Sequence, residues 1–353
     1  MLPFSIPSTG LWDRLQTAEK PIVLYGMGDG AEKILRVCAE KGVSVADIFA
    51  SDEYVRGHSF AGFRVKKLVE IEALYQDFII LIAFAATTTR CCSVSARSTR
   101  NTKSMRPTCR SLAAGCSHTP IYRPVNRTTR RHTACWRTKP PPGVCGYSAL
   151  QTHGEMRYLR RCETPKQEAY TGILKPSPHE RYLDLGAYNG DTIRELLSFT
   201  GGRAERIWAM EPDPKTFRKL SAYLETLSIP ATAVCKGVWD SECTLRFGGK
   251  AGRGSVLDEA GRLVVPVLPV DSLLNGEAVT LLKMDVEGAE REALAGAART
   301  IGACKPKLIV SAYHRTGDLA DLALQIHALR PDYRIHLRHH PYVPAWETNY
   351  YCI

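Results

Sequence analysis

Apolar residues in the second half of the chain fall into short runs, each ending on an acid or a glycine and followed by a helical pattern. The run 182–185 leads into the turn Gly186-Ala187-Tyr188-Asn189-Gly190 and a helix starting near Asp191. A second run, 207–210, ends in Glu211-Pro212 and is followed by a helix over 214–227. Residues 231–235, 281–284 and 307–312 read as further strands, with helices to about residue 300 and over 319–329. Apolar runs alternating with helices predict a mainly parallel sheet covered on both faces. Residues 333–337 and 349–352 close the chain as a strand pair with no helix between them, which predicts one reversed edge strand. Residues 244–270 hold β-branched runs broken by Gly and Pro, the pattern of a hairpin or insertion.

The first 84 residues repeat the theme on a smaller scale. Strand 22–25 runs into Gly26-Met27-Gly28-Asp29-Gly30 and a helix to about Lys41, with further strands at 45–50 and 78–84. This predicts a small βαβ unit of dinucleotide or nucleotide-sugar type, with Asp52 where a ribose acid would sit. A role in packing or homodimerisation stands against ligand binding for that unit.

The acidic strand ends carry the candidate chemistry. Gly186 and Gly190 let the backbone approach a ligand closely, and the helix start beyond them offers unpaired N–H groups. Glu211 stands 21 residues after Gly190, where an acid can accept both hydroxyls of a ribose. The turn reads D-x-G-x-x-x-G from Asp184, not G-x-G-x-x-G. A carboxylate facing the ligand would repel a pyrophosphate and suit the ammonium of S-adenosylmethionine. Glycines that serve packing alone are the plainer alternative. Asn189 lies in the same turn, and Trp239 or Asp240 could flank an adenine, although a core tryptophan fits as well. The third block, Asp285-Val286-Glu287-Gly288-Ala289-Glu290, puts another acid on the same rim, although acids at a helix start also serve the dipole.

These blocks resemble the FkbM-type methyltransferases, S-adenosylmethionine-dependent enzymes of the class I fold. The resemblance rests on the turn Asp184 to Thr192, on Ala209-Met210-Glu211-Pro212-Asp213, on Lys283 to Glu290, and on Tyr313-His314, and it covers roughly 151–353. It implies an α/β, Rossmann-like, mainly parallel seven-stranded sheet, with 1–84 resembling the N-terminal extension of some members. It also implies O-methylation of a hydroxyl on a sugar, polysaccharide or secondary metabolite.

A sulfonium methyl is already a good electrophile, so catalysis lies in aligning the acceptor oxygen and removing its proton. His314, at the end of strand 307–312, is the first candidate base. Asp285 and Glu287 are the alternatives, and together they could orient His314 or hold substrate hydroxyls. No metal is expected, because a hard cation wants several oxygen ligands and only Asp285 and Glu287 are close in sequence.

Charge sets one segment apart. Between Phe78 and Gly154 there is no Asp or Glu, while twelve of the 47 Lys and Arg lie there, leaving 35 bases against 36 acids elsewhere. The net charge of +11 therefore comes wholly from this stretch, which also holds six of the twelve cysteines. A nucleic-acid or membrane tail would not explain the Cys, Trp and Thr content, and no C-x-x-C supports a zinc module. We read 85–149 as coding sequence translated out of frame and expect it to lack a core, with domains at 1–84 and 150–353. The basic pI then says nothing about partners. No signal peptide or run of eighteen apolar residues occurs, so a soluble, cytoplasmic protein without membrane insertion or nucleic-acid binding is expected. The rival readings are an NAD-dependent sugar-modifying enzyme and a degenerate, noncatalytic binding relative.

Overall fold

The computed structural model describes residues 10–84, 86–87, 103–105, 160, 162–248, 256–257, 263–315, 317–343 and 346–353. The chain divides into two compact units, Met1–Thr164 with His339–Glu347, and Pro165–Arg338 with Thr348–Ile353. The expectations for 85–149 lie outside the described residues, apart from 86–87 and 103–105.

In the first unit, β1 (Ile22–Tyr25) pairs in parallel with β2 (Asp47–Phe49). A short hairpin follows, β3 (Ser59–Phe60) and β4 (Phe63–Arg64), and then β5 (Ile79–Ile82), parallel to β1 on its other side. Two short strands, β6 (Ala86–Thr87) and β7 (Lys103–Met105), complete the described part, β7 extending the sheet to the order β2-β1-β5-β7. Helix Asp29–Glu40 presents Ala31, Ile34 and Cys38 to Leu24, Ile48 and Leu81, as its apolar spacing requires.

The second unit is built on seven strands. In chain order they begin with β8 (Arg181–Leu185), β9 (Arg206–Met210) and β10 (Ala231–Val234). A separate small sheet then intervenes, made of β11 (Gly237–Val238), β12 (Cys243–Gly248), β13 (Val256–Leu257) and β14 (Leu263–Leu268), where broken β-branched runs predict an insertion. The main sheet resumes with β15 (Leu281–Met284), β16 (Lys307–Ser311) and β17 (Ile335–His339). After β18 (Tyr342–Val343), which pairs with β6, the chain returns as β19 (Thr348–Cys352). The order across the sheet is β10-β9-β8-β15-β16-β19-β17.

Strand β19 runs antiparallel to β16, and Arg334 and Ile353 exchange backbone bonds of 2.8 and 3.2 Å, the signature of an antiparallel pair at β17. The reversed strand therefore sits one place in from the edge, and the edge strand β17 runs with the others. Both faces are covered, so the strands are apolar almost throughout. One face packs Tyr182, Ile207, Leu281, Ile309 and Tyr351 against Leu196, Leu220 and Leu224 of the flanking helices. No helix among the described residues is long and apolar enough to cross a membrane.

Candidate active site

Strands β8, β9, β15 and β16 are neighbours and parallel, so their carboxyl ends share one rim. Chain order reverses between β8 and β15, the place where such sheets open a ligand crevice. Gly186 follows β8 at φ +76°, and a Cβ there would collide with the carbonyl oxygen of Asp285. The two strand ends come this close only because the residue is glycine. Its amide and that of Ala187 both donate to the Met210 carbonyl, at 3.0 and 2.9 Å, tying the turn to the end of β9. Gly190 (φ +85°) begins helix Asp191–Phe199 with the Tyr223 ring where a side chain would be. Arg194 lies 3.6 Å from that ring's centroid and donates to the Asn189 carbonyl at 2.9 Å. The Asn189 Oδ1 is buried and has no hydrogen-bond partner among the described residues.

Asp184 differs from its expected role. It is fully buried, with Lys283 Nζ donating to Oδ1 at 3.1 Å and the Thr192 hydroxyl donating to Oδ2. Lys283 is its register partner on β15, so the pair is a cross-strand bridge inside the sheet. With no exposed surface and a donor on each oxygen, Asp184 organises the turn. Burial works against the Lys283 charge, yet Asp184 and then Asp285 raise its pKa.

Glu211 stands at the end of β9 as expected for a ribose acid. The Tyr188 amide donates to Oε2 at 3.0 Å and the Asp213 amide to Oε1 at 2.9 Å. Burial raises its pKa against the pull of those amides. Each oxygen keeps a further lone pair for a hydroxyl. Trp239 is half-buried; its amide donates to the Leu268 carbonyl at 3.2 Å and its carbonyl abuts Gly296. Asp240 is exposed and accepts from the Ser241 hydroxyl at 2.8 Å. Gly237 lies next to Pro212, so this turn flanks the Glu211 end of β9.

The remaining groups form one cluster at the ends of β15 and β16. Glu287 (φ +54°) and Gly288 (φ +104°) turn the chain sharply after Asp285, and Gly288 packs on His314 and Arg315. His314 is buried, with its Nδ1 2.6 Å from Glu290 Oε1. Its Nε2 lies 3.4 Å from Asp285 Oδ1 and 3.8 Å from Glu287 Oε2. Burial opposes the imidazolium, but Glu290, Asp285 and Glu287 together raise the His314 pKa. Asp285 also accepts from the Tyr313 hydroxyl at 3.0 Å. Burial favours its neutral form, yet Lys283 and His314 hold its carboxyl below the usual range.

Glu290 makes a contact that sequence reasoning missed. Its place at a helix start suggests a dipole role, and it does accept the Val286 amide at 3.0 Å. The same oxygen meets His314, 24 residues further on, and only the packing of β15 against β16 shows that. Asp318, buried beneath the cluster, accepts the Arg315 amide at 2.6 Å, and burial pushes its pKa up to about 7.

Residues 184–335 match the family model of the methyltransferase FkbM domain. This segment is an FkbM methyltransferase domain. The solved methyltransferase FkbM of Methylobacillus flagellatus KT superposes at a TM-score of 0.71 with 23% identity, over 96% of this chain and 91% of that one. An rRNA methylase from Streptococcus thermophilus (TM-score 0.35, 12% identity) and the fibrillarin of Aeropyrum pernix (0.34, 15%) each overlap 54% of this chain, with 96% and 74% of their own lengths covered. No curated protein sequence matches the chain. The fold is that of the class I methyltransferases.

Proposed function

We propose that the chain transfers the methyl group of S-adenosylmethionine to a hydroxyl oxygen of a sugar, polysaccharide or polyhydroxylated secondary metabolite. The observation that carries this reading is the cluster of Asp285, Glu287 and His314 at the rim between the ends of β15 and β16. An alcohol is a poor nucleophile until its proton is taken, and His314 Nε2 points toward two carboxylates in a buried setting suited to that step. Glu290 fixes the ring through Nδ1, so that Nε2 is the atom turned to the acceptor. Asp285 keeps lone pairs to accept from a neighbouring hydroxyl, which suits a polyol. The cofactor supplies an electrophilic methyl group. Gly186 and Glu211 favour its binding by close backbone approach and by ribose recognition.

The test is label transfer from methyl-labelled S-adenosylmethionine to a panel of monosaccharides, oligosaccharides and phenols, with products read as O-methyl ethers by carbon NMR. His314→Ala should lower turnover by about 100-fold or more with cofactor affinity retained. Label on nitrogen, or turnover indifferent to His314, would overturn the reading.

A further inference from the structure

The edge strand of the main sheet gathers basic side chains without acids to match them. Arg334 and Ile353 exchange backbone bonds, a pairing that sets His336 opposite Tyr351 and Arg338 opposite Asn349. Alternation along β17, continued back to Arg334, puts Arg334, His336 and Arg338 on one face, the face on which Tyr351 packs. Cations nearby in the chain are matched, since Arg330 and Lys305 both pair with Asp332. Arg334 and Arg338 pair with no carboxylate among the described residues. Burial, and then the charges of Arg338 and Arg334, lower the His336 pKa, so both guanidinium groups bear on the ring between them. The His336 Nε2 is buried and makes no hydrogen bond among the described residues. Like charges collected around one ring repel each other, and a bound anion removes that repulsion.

The strand beside β17 supplies a second, independent donor. Asn349 is 6% exposed, and its Oδ1 accepts from the hydroxyl of Ser311, its register partner on β16, at 3.2 Å. Strand β19 lies between β16 and β17, so an oxygen turned to Ser311 leaves the amide nitrogen on the β17 side, where Arg338 stands opposite. No described residue accepts from that nitrogen. Arg338 is half-buried and spends one N–H on the Leu337 carbonyl at 2.9 Å, which leaves the other donors of its fork. A buried amide donor beside a guanidinium, with a second guanidinium along the same face and no carboxylate to meet them, is complementary to an oxyanion. Both β16 and β17 run antiparallel to β19, so Arg338 lies toward the rim that carries His314. Two strand spacings, about 10 Å, separate β17 from β16.

We infer that Arg338 and the side-chain amide of Asn349, with Arg334 beside them, bind an oxyanion of the phosphate class at the β17 edge of the sheet. The guanidinium fork meets two oxygens of a tetrahedral anion, the Asn349 amide meets a third, and Arg334 adds charge along the face. His336 binds nothing directly; its ring sits between the two charges that the anion neutralises. The position gives the site a use. A saccharide whose hydroxyl reaches His314 and whose phosphate is held at Arg338 is gripped at both ends, which fixes the reacting hydroxyl. That use rests on the methyltransferase reading above, whereas the anion site itself does not. The phosphate is either a substituent of the acceptor or a free ion, and the two are separable by titration.

The experiment is calorimetric titration of inorganic phosphate, glucose 6-phosphate and glucose into the full chain at constant ionic strength, with the Asn349 side-chain amide followed by NMR. Saturable phosphate binding at millimolar concentration is expected, with a shift of the Asn349 signal. Arg338→Gln should weaken it about 10- to 100-fold, the loss of a charge-assisted contact, and Arg334→Gln severalfold. Asn349→Asp, which sets a carboxylate against the anion, should abolish binding; Arg338→Gln, at a half-buried edge position, decides the matter if that variant does not fold. Arg291→Gln, at a surface ion pair with Asp321, should change nothing. Glucose 6-phosphate binding more tightly than phosphate, with glucose alone silent, supports an anion carried by the acceptor; equal affinity supports the site with the free ion as its ligand. No saturable binding of either phosphate, or binding untouched by Arg338→Gln, would overturn the inference. S-adenosylmethionine affinity measured on the same samples keeps the two readings apart, since its retention in that case would leave the methyltransferase reading standing.

Discussion

The two glycine turns of this chain look alike in sequence and differ in what surrounds them. In the first unit, Gly26 (φ +111°) and Gly28 (φ +106°) follow β1, but the Phe84 ring occupies the place of a Gly26 side chain. Tyr25 stacks on Phe49 at 4.5 Å and meets Phe84 edge-on at 4.6 Å, so aromatic rings fill the strand ends. Asp52 is exposed on a single helical turn, and the buried Asp47 is bound to Lys66 and Tyr75. In the second unit, Gly186 brings the backbone against Asp285, and Glu211, Asp285 and His314 stand along the neighbouring strand ends. Glycine spacing thus reports how a backbone turns, and the side chains lining the turn report whether it can bind.

The largest effect in this comparison should come from the bridge beneath the second turn. Asp184→Ala leaves Lys283 buried without its partner, at a cost of about 3–5 kcal/mol by chemical denaturation. The double variant Asp184→Ala, Lys283→Met should recover most of that loss; a single variant as stable as the parent would refute the bridge. Next come the glycines. Gly186→Ala and Gly30→Ala each push a methyl into a carbonyl oxygen, of Asp285 and of Ala83, and each should cost about 2–3 kcal/mol. Only the first should also abolish cofactor binding, and equal losses of binding in both would erase the distinction between the turns.

A smaller effect belongs to pH. The folded pKa of Asp318, pushed up to about 7 by burial, lies above its unfolded value near 3.8. The folded state therefore holds the proton more tightly, and stability falls as pH rises from about 4 to about 7. Asp318→Asn should remove a loss on the order of 1–3 kcal/mol across that window in urea titrations at both ends. The same pH dependence in parent and variant would contradict the burial argument. The smallest free-energy change is expected from Glu211→Gln, which keeps the shape and removes the charge. It should weaken cofactor binding about tenfold, a difference near 1.4 kcal/mol, while Asp52→Asn changes nothing.

Much of this was legible in the residues because strand runs bounded by acids and glycines have few other solutions. Glu211 and Asp285 could be placed at strand ends from local pattern alone. Asp184 could not be read correctly, because its partner Lys283 is 99 residues away and faces it only in the β8–β15 register. The reversed strand was legible in direction but not in place. Whether β17 or β19 lies against β16 depends on pairing that no local pattern encodes. The same holds for His314, whose contact with Glu290 arises from two adjacent strand ends.

The most direct test of the account is calorimetric titration of S-adenosylmethionine, and separately of NAD, into the full chain and its Glu211→Ala and Asp52→Ala variants. One S-adenosylmethionine per chain is expected, with affinity lost in Glu211→Ala, kept in Asp52→Ala, and no heat from NAD. Binding of NAD that depends on Asp52, or S-adenosylmethionine binding indifferent to Glu211, would place the cofactor at the wrong turn and contradict the account.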